Sequence, residues 1–138
     1  MKFSKLNNPK VRVNVNVSKY LVDWDRRVSG PQFTVKQFLK PYWATSVVCE
    51  EMVIPGSRNR VDLINLSRKI AVEVSPDSSH SFNQFFHKDR NTFGRAVGRE
   101  LSKAKWLERE GFQLVEVFED DLPLLSVGWF ASRYGITL

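Results

Sequence analysis

Val11, Val13, Val15 and Val17 alternate with Arg12, Asn14 and Asn16, the period of two that turns one face of a strand to a core and the other to water. After a loop containing Ser29-Gly30-Pro31, the stretch Thr34-Val35-Lys36-Gln37 reads as a capping box opening a helix. Its apolar face would be Val35, Phe38, Leu39 and Tyr42, with Pro41 ending or kinking it early. Val47 to Ile54 predicts a strand closed by Pro55-Gly56-Ser57. Two further β-branched runs, residues 60–65 and 70–75, are joined by the polar turn Leu66-Ser67-Arg68-Lys69, which makes three consecutive strands of a meander. Residues 76–94 are polar and aromatic and read as a loop with room for a short helix. A helix is expected over 95–110, with Val97, Leu101, Ala104 and Leu107 on one stripe and Gly111 as its closing residue. A strand over 112–118 follows, then a helix from Pro123 to Tyr134 with Gly135 after its end. Strand, helix, three strands, helix, strand, helix is the order of a mixed α/β domain with helices packed on a sheet.

A chain of 138 residues supports one domain with a real core, and 42% hydrophobic residues with 12% aromatics fit a folded globule. The balance of 21 basic against 15 acidic residues gives +6, which favours a polyanionic partner because each neutralised phosphate releases counterions. Cys49 is the only cysteine, so there is no disulfide framework and no thiolate metal cluster. The N-terminus lacks an apolar signal region, and no stretch is long enough to span a bilayer. A cytoplasmic protein without membrane partners is expected.

Two acids stand inside the β-branched runs, Asp62 and Glu73. An adjacent hairpin can bring both carboxylates to one divalent cation; alternatively they point to solvent, balanced by Arg60, Arg68 and Lys69. Paired semi-buried carboxylates need a cation or a proton between them, an arrangement suited to metal-assisted phosphodiester cleavage. On the 95–110 helix, Glu100 falls within the apolar stripe and Lys103 at its edge. They either pair with each other or serve a site. His80, just past the second run, can act as a general acid or base, and His87 competes with it.

Together, Arg60-Val61-Asp62-Leu63-Ile64, Ala71-Val72-Glu73-Val74, His80, Glu100-x-x-Lys103-x-x-x-Leu107-x-x-x-Gly111-Phe112 and Leu114-Val115-Glu116-Val117 resemble the PD-(D/E)xK nuclease superfamily. They are most similar to its very-short-patch-repair-like (EDxHD) branch, over about residues 45–121. The resemblance implies a restriction-endonuclease-like mixed sheet with flanking helices in a single domain. It implies Asp62 and Glu73 as ligands of Mg²⁺, with Mn²⁺ able to substitute, His80 as general acid/base and Glu100 as the helix acid. An earlier glutamate is also implied; Glu50 or Glu51 is the nearest candidate, and alternation places Glu51 on the face of Val47, Cys49 and Val53. The usual lysine two residues after Glu73 is replaced by Ser75, so charge stabilisation falls to His80, Lys103 or Lys88. The first helix carries no acid, unlike that of many relatives.

Between His80 and Glu100, the residues Lys88, Arg90, Arg95 and Arg99 stand among Phe82, Phe85, Phe86 and Phe93, which suits phosphate clamping beside stacking. Arg12, Asn14 and Asn16 form a second possible contact surface able to read base edges. The expectation is a metal-dependent endonuclease cutting specific sites in double-stranded DNA, of the kind borne by phages as freestanding homing enzymes. Residues 1–44 would be possible DNA-contacting elements, 45–121 the catalytic core and 122–138 a C-terminal helix. Cutting both strands calls for a homodimer, with Leu124, Leu125, Trp129 and Phe130 as an interface. The alternatives are a non-catalytic nucleic-acid-binding module of this fold and a nuclease selective for structure or mismatches.

Overall fold

The run Arg60–Asn65 buries Val61, Leu63, Ile64 and Asn65 completely, which requires a strand flanked on both edges and covered on both faces. The computed structural model, which describes residues 1–75 and 101–138, shows it inside a four-stranded sheet. That sheet has the order β3 (Val48–Val53), β4 (Arg60–Asn65), β5 (Ile70–Ser75) and β6 (Gln113–Phe118). The first three strands are the expected antiparallel meander, and β6 lies parallel to β5 from Ile70–Gln113 to Ser75–Phe118. A separate two-stranded sheet pairs β1 (Lys2–Ser4) with β2 (Arg12–Asn14). The chain is a single small α/β domain with helices flanking the sheet.

Each face of the sheet has its own core. On one, α1 (Gly30–Trp43) lays Val35, Leu39 and Trp43 against Leu63, Val72, Val115 and Val117. The C-terminal helix α3 (Val127–Tyr134) adds Trp129 and Phe130 to it. On the other, α2 (described over 101–109) brings Trp106 and Leu107 onto Cys49, Ile64 and Ala71. β1 seals this second core: the Phe3 ring lies 5.7 Å from that of Trp106, and the Trp106 indole N–H donates to the Ser4 carbonyl at 2.8 Å.

Several elements differ from the sequence expectation, each for a local reason. The Val11–Val17 strand is only Arg12–Asn14, because Val15 and Val17 turn onto the second core and the chain enters a 3-10 turn at Val17–Tyr20. Ser29, not Thr34, caps α1: its hydroxyl accepts the Gln32 N–H, and Pro31 occupies the first turn, where no N–H is needed. Thr34 is interior and bonds back to the Gly30 carbonyl. Pro41 does not end the helix, because fully buried Trp43 anchors one more turn. That turn leaves Tyr42 on the exposed side.

On α2 the inward face is Lys103, Trp106, Leu107 and Glu110, whereas Leu101, expected on the stripe, is exposed. Gly111 does close α2 at φ 85°, with the Phe112 N–H reaching the Leu107 carbonyl. The expected Pro123–Tyr134 helix is broken. A 3-10 segment (Glu119–Leu124) ends before Ser126, whose hydroxyl caps α3. Trp129 and Phe130 lie in the chain's own core, so of the four residues expected at a dimer interface only Leu124 and Leu125 retain exposed surface.

Candidate active site

The β4–β5 ladder runs from Asn65–Ile70 to Leu63–Val72 and stops there. Beyond it the Asp62 side chain takes over, its Oδ2 accepting the Val74 N–H at 2.8 Å. This fixes the Asp62 carboxylate between the two strands and leaves Oδ1 for other work. Glu73, one residue before Val74, alternates with Val72 and Val74 and so faces α2 rather than α1. From α2, the Lys103 ammonium comes to 3.1 Å from Glu73 Oε1. That oxygen is buried, yet it accepts no aligned hydrogen bond among the described residues, so the lysine supplies charge without saturating it.

Burial above all, and then the Asp62 charge, push the Glu73 carboxyl up to about 9; Lys103 pulls the other way, and a hydrogen bond to Asp62 adds to the rise. Without a cation the pair therefore holds a proton at neutral pH. With one, the same atoms form a hard-oxygen site: an under-used buried carboxylate oxygen beside a second, oriented carboxylate. Magnesium commonly takes one or two protein carboxylates and completes its shell with water and substrate phosphate, so these residues fit it. Among the described residues, no group of three histidine, cysteine or acidic side chains is close enough together to hold a metal.

Glu51 lies between the register pairs Glu50–Leu63 and Met52–Val61, level with Asp62 on the neighbouring strand. Its φ of 56° is left-handed, a conformation that costs a non-glycine residue about 1–2 kcal/mol. The twist breaks the alternation, so Met52 rather than Glu51 continues the Cys49 face. The Glu51 carboxylate accepts from Gln32 Nε2 at 3.3 Å. The same amide donates to Glu50 at 2.8 Å, and buried Lys36 pairs with Glu50 at 2.9 Å while donating to the Arg26 carbonyl. Gln32, Lys36 and Glu50 thus lock α1 to the strained segment of β3; sequence reasoning missed Gln32 and Lys36 and named Glu50 only as an alternative to Glu51 for the earlier acid. The available signal was two polar residues, at 32 and 36, on the stripe that continues through Leu39 and Trp43.

The structure therefore assembles Asp62, Glu73 and Lys103 and sets Glu51 on the adjacent strand. Lys103 stands beside Glu73. His80, Glu100, Lys88, Arg90, Arg95 and Arg99 lie outside the described residues. Arg12 is partly engaged within the fold, donating to the Lys2 carbonyl at 3.0 Å and lying 3.8 Å from Glu110. Asn14 and Asn16 are exposed. Among the described residues no helix is long and apolar enough to cross a membrane. No family model, curated protein or solved structure matches the chain.

Proposed function

We propose that the chain is a Mg²⁺-dependent DNA endonuclease that hydrolyses phosphodiester bonds in double-stranded DNA. The observation that carries this reading is the half-buried Asp62–Glu73 pair, with one buried Glu73 oxygen lacking a hydrogen bond among the described residues and the Lys103 ammonium against it. Its ordered motifs, similar to those of the PD-(D/E)xK nucleases, and its charge of +6 point the same way. Asp62 and Glu73 would hold the cation, which when bound polarises the phosphate and makes its water more acidic. Val74 keeps the Asp62 carboxylate in place through its N–H. Glu73 gives up its proton when the cation is taken up, as metal ligands do. Lys103, freed from compensating Glu73, neutralises the charge that develops on the phosphate oxygens during displacement.

One observation favours a second reading, a nucleic-acid-binding module without catalysis: only two carboxylates converge among the described residues, and they are already compensated by a proton and Lys103. Incubation of the protein with plasmid and genomic DNA in Mg²⁺ or EDTA, beside Asp62→Asn, separates the two. The asparagine oxygen can still accept the Val74 N–H, so folding and DNA affinity persist while cleavage falls more than about a hundredfold. Cleavage by the variant at the parent rate removes Asp62 from the site. DNA that is bound and left intact by the parent supports the binding module.

A further inference from the structure

An open surface pocket of about 470 Å³, a shallow cavity, lies between β2, the Val17–Tyr20 turn and the end of β3. Its polar lining is Lys5, Asn14, Asn16, Lys19 and the Tyr20 ring, and the lining holds no carboxylate. Neither lysine is in an ion pair, and neither the Asn14 amide nor the Tyr20 hydroxyl is hydrogen-bonded among the described residues; Lys19 Nζ stands 5.8 Å from the Tyr20 ring centre. One wall is built to a close tolerance. Gly56, at φ 76°, allows the β3–β4 turn to meet the β1 strand end, where the Leu6 N–H donates to the Pro55 carbonyl at 2.7 Å. A Cβ there would stand 2.3 Å from Asn7 Oδ1.

The cavity is on the sheet face that carries α2, because β1 packs on Trp106 and Tyr20 against the second core. Val53, in its lining, is the register partner of Arg60, two residues along β4 from Asp62. That places the Val53 backbone roughly 7 Å along one strand and 5 Å across from the Asp62 backbone.

We propose that this cavity takes one unpaired nucleotide of a nucleic-acid strand. Two ammonium groups with no opposing acid select an anion of phosphate type. An aromatic wall offers a stacking face to any base, and the Asn14 amide presents donor and acceptor together to a base edge, beside Asn16, whose Oδ1 already accepts from the Ser18 hydroxyl. A volume of this size suits one small-molecule-sized group, and a base stacked inside a duplex has no free face to offer the Tyr20 ring. The placement beside Asp62 rests on the carboxylate pair being a nuclease site; the binding does not.

The test is fluorescence anisotropy of full-length protein with a short labelled single-stranded DNA in EDTA, where cleavage plays no part. Lys19→Ala and Asn14→Asp both change exposed side chains, so folding is not at stake. Each weakens binding about fivefold or more, and Lys19→Ala lowers the salt slope by about 0.7, one phosphate contact on a single strand. Parent affinity and slope in both variants overturn the proposal. Deoxyadenosine monophosphate displaces the strand at concentrations where inorganic phosphate does not; equal displacement by the two overturns recognition of the base. Magnesium-dependent cleavage of duplex DNA is read separately. A parent that never cleaves, with variants that lose single-strand binding, refutes the nuclease and leaves the cavity standing.

Discussion

Replacing Glu73 by glutamine should stabilise the protein at alkaline pH while destroying the site. The carboxyl stands at about 9 against an ordinary 4.5, chiefly because it is buried and beside Asp62. Between those values the folded chain keeps a proton that the unfolded chain has released. Stability then falls as pH rises, by up to about 1.4 kcal/mol per pH unit. The contribution is fully present below the ordinary carboxylate range and is lost as pH climbs through about 9. The Glu73 side chain keeps 17% of its surface in contact with solvent, so the total loss is a few kcal/mol rather than the full product of slope and window. Glutamine keeps the shape, cannot ionise, and offers an amide N–H to Asp62 in place of the shared proton. At about pH 8 the variant should exceed the parent by roughly 2 kcal/mol, or about 6 °C in Tm for a chain of this length. At about pH 5 the two should coincide. Thermal scans in EDTA across this range measure both curves. Adding Mg²⁺ at the alkaline end should raise the parent's Tm and leave the variant's unchanged, since only the parent offers two carboxylates. Parallel pH curves, or a variant less stable at alkaline pH, refute burial and the Asp62 charge as the source of the perturbation.

Lys36→Ala leaves the buried Glu50 carboxylate without its cation and should cost about 3–5 kcal/mol in urea unfolding, whereas Lys36→Met with Glu50→Leu together recover most of it. A single variant within about 0.5 kcal/mol of the parent would show that water reaches the pair. Burial pushes the Cys49 thiol up to about 11, so at about pH 8 roughly one molecule in a thousand carries the reactive thiolate. Disulfide-exchange reagents should label Cys49 only after denaturation, and rapid labelling of the native protein would contradict the closed second core.

The meander was legible because each strand is a short β-branched run bounded by turn residues, and the turns at Pro55-Gly56 and Leu66–Lys69 fell where expected. The Asp62–Glu73 juxtaposition was legible for the same reason: in a tight hairpin, sequence separation dictates register. Helix faces were harder to read. The Gly30-Pro31 pair resembles a loop until Ser29 is recognised as the cap that makes Pro31 a first-turn residue. On α2, Leu101 and Trp106 compete for the inward stripe. The larger ring wins because Phe3 and the Ser4 carbonyl, some hundred residues away in sequence, are there to receive it. That same rotation carries Lys103 from the edge of the helix to Glu73. No local pattern announces the Lys36–Glu50 pair, since a helix and a strand supply one residue each.

The departures from local rules gather at one end of the sheet. Within a few residues of one another stand a left-handed glutamate inside a strand, an aspartate side chain continuing an interrupted ladder, and a buried acid with an oxygen lacking a hydrogen bond. The left-handed glutamate and the acid with a raised pKa cost stability where they stand, while the sheet's apolar residues Leu63, Ile64, Val72 and Val115 pack in its two cores. The α1 network contributes the restraint: Gln32 ties Glu50 to Glu51, and Lys36 holds Glu50 against the helix. Local strain persists when surrounding structure over-determines it, and it concentrates where groups must be held for chemistry. This is why Glu73→Gln should relieve the fold at alkaline pH and disable the site at once: the carboxylate that is costly to ionise where it stands is the one that a cation would use.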